Sequence, residues 1–221
     1  MATIGAQQPP AAGESRRREM VEEQIRARGI ENARVLDAFR KVPRDRFVPV
    51  ELQDRAFDDS PLPIGFSQTI SQPYIVAYMT DALDVEAGHT VLEIGTGSGY
   101  QAAVLGELAK TVYTIEIVPE LASRAAGTLA SLGYRNVHVR AGDGYAGWPE
   151  HAPFDRIMVT AAPEEVPAPL LEQLAPGGRL VIPVGEQGRT QWMTVVDKTG
   201  DGLVSRRTIP VQFVPFTRAP G

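Results

Sequence analysis

The stretch that most constrains this chain is Val91 to Tyr100, V-L-E-I-G-T-G-S-G-Y. Its short apolar run reads as a buried parallel strand. Three glycines close the run, alternating with Thr96 and Ser98. Tyr100 to Lys110, Y-Q-A-A-V-L-G-E-L-A-K, then has helical spacing and good helix formers. Strand, glycine turn and helix open a nucleotide-binding βαβ unit. Glycine lets the backbone turn tightly and approach a ligand, and the helix N-terminus offers unpaired N–H groups to it. A ligand-free turn could use the same glycines, so a second landmark is needed. That landmark is Glu116, near the end of the next expected strand, T-V-Y-T-I-E-I-V, Thr111 to Val118. It lies about 20 residues after the first glycine, where an acid takes ribose hydroxyls. A carboxylate accepts two such bonds and repels a 2′-phosphate.

Dinucleotide folds carry G-x-G-x-x-G, which seats a pyrophosphate. Here the spacing is G-x-G-x-G, with Glu93 two residues before the first glycine. That pattern resembles motif I of class I S-adenosylmethionine (AdoMet) methyltransferases, whose glycine loop faces an amino acid moiety. The resemblance implies AdoMet as cofactor and S-adenosylhomocysteine as product, and disfavours NAD and NADP.

With 221 residues, the chain fits one large domain or one domain with an appended lobe. Zero cysteines exclude disulfides, thiolate metal sites and cysteine nucleophiles. A net charge of −5 gives no global field for nucleic acid. No apolar run approaches a membrane span, and the N-terminal segment lacks the apolar core of a secretory signal. The expectation is a cytoplasmic protein, a monomer, with neither nucleic-acid nor membrane partners.

Residues 1–15 are rich in Ala, Gln, Pro and Gly and are expected to form a disordered tail. Glu19 to Arg28 reads as a helix stopped by Gly29, and Asn32 to Arg40 as a second, capped by Asn32. Asp58 to Pro73 reads as a long, partly apolar loop carrying Leu62, Ile64, Phe66 and Ile70. Such loops are often functional. Tyr74 to Leu83 reads as a helix, with Ser71 as its N-cap and Pro73 in the first turn. Further strands are expected at V-H-V-R-A-G-D-G, at Phe154 to Ala162, in R-L-V-I-P-V-G, at Gln191 to Asp197 and at Leu203 to Val214. Helices are expected at Pro119 to Leu132 and Val166 to Leu174, the latter stopped by Gly177-Gly178. Pro210 suggests an edge position or a bulge. The alternation implies a doubly wound, Rossmann-like α/β sheet, mostly parallel, with a C-terminal antiparallel hairpin and an N-terminal helical lobe. The expected division is a tail over 1–15, lobe and substrate loop over 16–83, and an AdoMet-binding domain over 84–221, lobe and domain forming one unit.

Taken together, the motifs resemble the protein-L-isoaspartate (D-aspartate) O-methyltransferase family from about Arg18 to Thr217. The most specific run is P-I-G-F-S-Q-T-I-S-Q-P, Pro63 to Pro73. L-E-I-G-T-G-S-G-Y-Q, G-D-G at Gly142 to Gly144, V-T-A-A-P, P-G-G-R-L-V-I-P-V-G and V-Q-F-V-P-F-T follow in family order. Ser67 stands where the family more often has glycine. The resemblance implies a repair enzyme that methylates the α-carboxylate of isoaspartyl residues in damaged proteins and peptides. D-aspartyl residues are a secondary substrate class. The ester then closes to a succinimide, whose hydrolysis returns some normal aspartate.

That chemistry suits the composition. A carboxylate is ionised at neutral pH, so methyl transfer to it needs alignment and exclusion of water more than a base. The scattered His89, His138 and His151 read as non-catalytic, and no metal is expected. The resemblance puts the active-site hydroxyl at Ser71, which could orient the substrate carboxylate, cap a helix, or do both. It puts Ile70 and Thr217 against the substrate, and Gln68 and Thr69 on the same wall. Glu93, Gly95, Thr96 and Gly97 would hold the methionine part and Glu116 the ribose, with Ile117 also against the cofactor. Asp143 with Gly144 would serve the adenine, unless Asp143 forms only an Asp-Gly turn. Rival classes fit less well. Thr160-Ala161-Ala162-Pro163 replaces the Asn/Asp-Pro-Pro-Tyr of amino methyltransferases, and Thr96 breaks the G-x-S-x-G of hydrolases around Ser98. A non-enzymatic AdoMet-binding module or a binder of damaged chains stays open.

Overall fold

The computed structural model describes residues 10–219. Helix α1, Pro10–Glu19, runs into a wider π-type stretch, Met20–Ile25, and a tight turn, Arg26–Arg28. Residues 10–15 are therefore helical, contrary to the expected tail over 1–15; residues 1–9 lie outside the described residues. Gly29 ends the run at φ +93°, a left-handed position that suits glycine. Helix α2, Ala33–Lys41, is capped as expected: Asn32 Oδ1 accepts from the N–H groups of Arg34 and Val35 at 3.1 and 3.5 Å.

The expected loop over residues 58–73 is instead largely a hairpin. Strands β1 (Leu62–Gly65) and β2 (Gln68–Ile70) pair antiparallel. Leu62, Ile64 and Ile70 are buried, which is why a stretch rich in Pro and polar residues is held in place. Phe66 sits at the tip and is half exposed. Phe66 and Ser67 both have positive φ, 54° and 58°, as a two-residue hairpin turn requires. Helix α3, Pro73–Leu83, follows, with Pro73 in its first turn. Its N-cap is Gln72, without a side-chain bond, so the expectation of Ser71 as cap is corrected. Pro73 occupies the first helical position, and the cap is then the residue directly before it.

The main sheet contains β3 (Thr90–Ile94), β4 (Thr111–Glu116), β5 (Val137–Ala141), β6 (Phe154–Val159), β7 (Leu174–Val184), β8 (Gln191–Thr199) and β9 (Gly202–Val211). Helices α4 (Tyr100–Leu108), α5 (Pro119–Ser131) and α6 (Ala168–Glu172) connect the parallel strands. The order is β5-β4-β3-β6-β7-β8-β9, with β8 and β9 antiparallel, as the alternation predicts. The last expected helix is shorter than Val166–Leu174, because β7 already begins at Leu174 and bulges before Arg179. The last strand ends at Val211, not Val214. Pro210 lies on the edge strand beside a register shift, so both of its expected roles hold.

One apolar cluster joins the N-terminal helices to one face of the sheet; Tyr100 is its junction, meeting Phe39 and Phe47 edge-on at 6.0 and 5.6 Å. A second cluster, with Leu92, Ile115, Phe154 and Leu180, fills the other face. The chain leaves β3 toward β4 on one side and returns to β6 on the other. Strand order thus reverses at β3, and a crevice opens beyond the C-terminal ends of β3 and β6.

Candidate active site

A cleft of about 530 Å³ occupies that crevice. Gln68, Thr69, Gly95, Gly97, Glu116, Ile117, Gly144 and Thr217 line it, all expected from the sequence. An adjoining hollow of about 410 Å³ takes Ile70, Ser71 and Thr96, and shares Thr69, Gly95, Gly97 and Thr160 with the first. The β1–β2 hairpin and the glycine loop therefore both line the two neighbouring spaces.

The glycine loop is fixed from both sides. The N–H groups of Gly95 and Thr96 both donate to the Ile115 carbonyl, at 2.8 and 3.2 Å. The Thr160 hydroxyl, at the end of β6, donates to the Gly95 and Ile94 carbonyls at 2.6 and 3.1 Å. Gly95 has φ +96°, and a Cβ there would collide with Thr160 Oγ1. The first glycine is thus demanded by both backbone conformation and close approach.

Glu116 is nearly buried at the end of β4. Its Oε2 accepts from Gly97 N at 2.7 Å and its Oε1 from Val118 N at 3.0 Å. Each carboxylate oxygen has a second lone pair, so an anchored Glu116 can still accept two ribose hydroxyls from the cleft it lines. Ile94, Ile115 and Ile117 give the cleft an apolar wall beside this polar group. Gly144 permits that wall, since a Cβ there would run into the Ile94 side chain. These residues fit an adenosyl ligand.

Two expected residues lie elsewhere. Glu93 is fully buried beneath the loop and lines neither space. Its Oε2 accepts from Thr114 Oγ1 at 2.5 Å, Thr114 Oγ1 lies 2.6 Å from Thr96 Oγ1, and among the described residues Oε1 has no partner. Burial pushes its carboxyl up to about 8, against the Thr114 bond and with the help of nearby Glu116. Glu93 therefore reaches the cleft only through Thr114 and Thr96. Asp143 also lines neither space. Its Oδ1 accepts from Tyr145 N at 2.9 Å, the Asp-Gly turn geometry, while Oδ2 accepts from Arg218 Nε at 2.9 Å and Ala219 N at 3.2 Å. Burial alone would raise its pKa, but the Arg218, Tyr145 and Ala219 bonds together hold it below the usual carboxylate range.

Ser71 faces the hollow; its carbonyl accepts from Arg44 Nη2 at 2.8 Å, and among the described residues no protein group bonds its hydroxyl. None of the three histidines lines either space. His138 and His151 stack on Tyr113 at 5.1 and 4.0 Å, and the ring nitrogen of His89 accepts from Glu86 N. Among the described residues no cluster of three His, Asp or Glu could hold a metal.

Residues missed from the sequence complete the walls. Thr160 and Ala161 come from V-T-A-A-P, and Val214, Pro215 and Phe216 from V-Q-F-V-P-F-T. Both runs stand out as motifs, yet only Thr217 was assigned a contact. The C-terminal segment reaches the cleft because Ala162 N donates to the Val214 carbonyl at 2.9 Å and Phe216 N to the Ala162 carbonyl at 3.0 Å. Tyr100 and Gln101, in the first turn of α4, line the hollow.

A doubly wound sheet with a cleft at its switch point, an anchored carboxylate lining that cleft and a G-x-G-x-G loop beside it together define a Rossmann-like AdoMet-dependent methyltransferase. The sequence model of the protein-L-isoaspartate (D-aspartate) O-methyltransferase family matches residues 15–220, and the chain belongs to that family. The protein-L-isoaspartate O-methyltransferase of Gloeobacter violaceus is 62% identical over 199 residues, covering 90% of this chain and 97% of the relative. That of a Synechococcus strain is 58% identical over 219 residues, covering 95% and 89%. Among solved structures, a protein-L-isoaspartate O-methyltransferase aligns at TM-score 0.81 and 29% identity, covering 92% of this chain and 66% of its own. A Plasmodium falciparum chain assigned to the same enzyme, in complex with S-adenosyl-L-homocysteine, has the same fold at TM-score 0.80 and 23% identity, covering 92% and 99%.

Proposed function

We infer that this enzyme transfers the methyl group of AdoMet to the α-carboxylate of L-isoaspartyl residues, and secondarily of D-aspartyl residues, in damaged proteins and peptides. The observation that carries the reading is the shared wall of the two spaces. The cleft lined by Glu116 and the glycine loop has Thr69, Gly95, Gly97 and Thr160 in common with the hollow lined by Ser71. When bound, AdoMet supplies an electrophilic methyl group on a sulfonium. Gly95, Thr96 and Gly97 would hold its methionine part, Glu116 its ribose and Ile117 with Gly144 its adenine side. Asp143 would accept from the adenine amino group once it shares its carboxylate with Arg218. Glu93 would act one step back, by fixing Thr114 and hence Thr96.

The chain's own residues do the alignment. Ser71 would donate its hydroxyl to the incoming carboxylate and fix its approach, while Gln68, Thr69 and Ile70 wall the passage between the two spaces. Thr217 would meet the substrate backbone at the cleft mouth. No base is required, because the carboxylate is ionised at neutral pH. The apolar walls and the hairpin reduce access of water, which favours charge-consuming transfer between ions of opposite sign. We place the enzyme in the cytoplasm as a monomer; separately, no described helix is long and apolar enough to cross a membrane.

The test is incubation with labelled AdoMet and paired peptides differing only in Asp or isoAsp at one position. Base-labile label on the isoAsp peptide alone is the expected result. Equal labelling of both peptides, or AdoMet binding without turnover, would overturn the reading.

A further inference from the structure

The mechanism above leaves one buried charge unused. Arg44, in the turn after α2, is fully buried against Tyr100 and the backbone of Ala56 and Ser71, and among the described residues no carboxylate pairs with it. Its Nε donates to the Ala56 carbonyl at 2.7 Å and its Nη2 to the Ser71 carbonyl at 2.8 Å. Its guanidinium lies 4.8 Å from the centre of the Tyr100 ring. Among the described residues neither Nη1 nor the Tyr100 hydroxyl has a partner that meets hydrogen-bond geometry. Burial pulls Arg44 down to about 10, so it remains charged at neutral pH. An unpaired buried cation is costly, and an apolar side chain of similar size is commonly as stable or more so. Packing alone therefore gives no reason for arginine here. Its position does: it touches the backbone of Ser71 and the face of Tyr100, two residues that line the substrate-side hollow.

We propose that Arg44 is a positioning residue for methyl transfer. It pins the Ser71 carbonyl, and so the stretch of backbone from which the Ser71 hydroxyl projects, and places a fixed positive charge behind the wall that receives the substrate carboxylate. Other charged or titratable groups nearby act on Tyr100 or are already engaged. Arg17 on α1 adds positive charge near Tyr100. Asp59 is paired with Arg28 and bonded to Gln72. No acid on α2, α3 or α4 neutralises Arg44 in the described residues. A receiving wall with a cation behind it and no competing carboxylate suits an anionic nucleophile.

The inference rests on the role given to Ser71, so the experiment is a double-mutant cycle. Arg44→Met, Ser71→Ala, the double variant and Arg44→Lys are compared by turnover on an isoaspartyl peptide, calorimetry with S-adenosylhomocysteine, and thermal melts. If Arg44 works through Ser71, Arg44→Met lowers kcat by roughly 10- to 100-fold, the range for a misplaced reacting group. S-adenosylhomocysteine affinity stays within about twofold, because Arg44 lines no part of the cofactor cleft. The double variant is then no slower than the worse single, since coupled residues are non-additive, and Arg44→Lys recovers part of the rate. Effects that multiply in the double variant, or a normal rate in Arg44→Met, would overturn the proposal while leaving Ser71 intact. A normal rate in Ser71→Ala would remove the Ser71 reading itself, and with it this one.

Discussion

Replacing Glu116 by Ala separates two jobs that its carboxylate performs together. In the chain alone it accepts from Gly97 N and Val118 N, at 2.7 and 3.0 Å, and is only 5% exposed. In the complex it is expected to accept ribose hydroxyls as well. Hydrogen bonds involving a charged group contribute about 1.5–3 kcal/mol. Removing the acceptor should therefore weaken S-adenosylhomocysteine binding by about 10- to 150-fold, at about 1.4 kcal/mol per tenfold. The same change strands two partly buried N–H groups, so stability should also fall, by about 1–3 kcal/mol for each group that water does not reach. Glu116→Gln tells the two jobs apart. It retains one acceptor oxygen for the loop, so its melting temperature should lie above that of Glu116→Ala, while its loss of the charged ribose acceptor remains. Calorimetry below the lowest melting temperature reads the affinity, and thermal melts read the stability. Undiminished S-adenosylhomocysteine affinity in Glu116→Ala would refute the ribose assignment, whatever the melts show.

Three further outcomes follow from local physics. Glu93 holds its proton up to about 8 when folded, against an ordinary value of 4.5, so the folded state binds more protons across that window. Its contribution to stability is complete below the lower value and is lost as pH rises, at up to about 1.4 kcal/mol per pH unit; chemical denaturation of Glu93→Gln at pH 5 and 8 should show a flatter dependence than the parent, and an identical slope would contradict the buried-acid account. Ser67 sits at φ +58°, where a side chain is strained; Ser67→Gly should raise stability by up to about 1 kcal/mol, the relief outweighing the added chain entropy, and a lower melting temperature would show that the hairpin tip is not strained. Asn32→Ala should cost about 1 kcal/mol through loss of the α2 cap, with kcat unchanged; a silent substitution in denaturant melts would show that water replaces the cap.

The glycine loop, Glu116 and the strand–helix alternation were legible because each depends on short-range rules. Three glycines in five residues can serve few backbones, and the short strand T-V-L-E-I followed by a glycine turn leaves little choice of element. The run Pro63 to Pro73 is likewise distinctive in the sequence, and its residues Gln68 to Ser71 line the two spaces. What the sequence could not decide is how distant segments use the same atoms. Ser71 looked like a helix cap, but Pro73 set the first turn one residue further on, leaving the hydroxyl to the hollow. Glu93 looked like a ligand contact, but strand pairing buried it behind Thr114 and Thr96. Asp143 meets Arg218, 75 residues away, and the C-terminal Val214 to Thr217 reaches the cleft only through backbone bonds to Ala162. Arg44, an ordinary arginine in R-D-R-F-V-P, becomes a buried cation behind Ser71 only when the N-terminal helices pack on α4. Local patterns specify elements and the turns between them, whereas burial, pairing and charge environment belong to contacts that exist only once those elements meet.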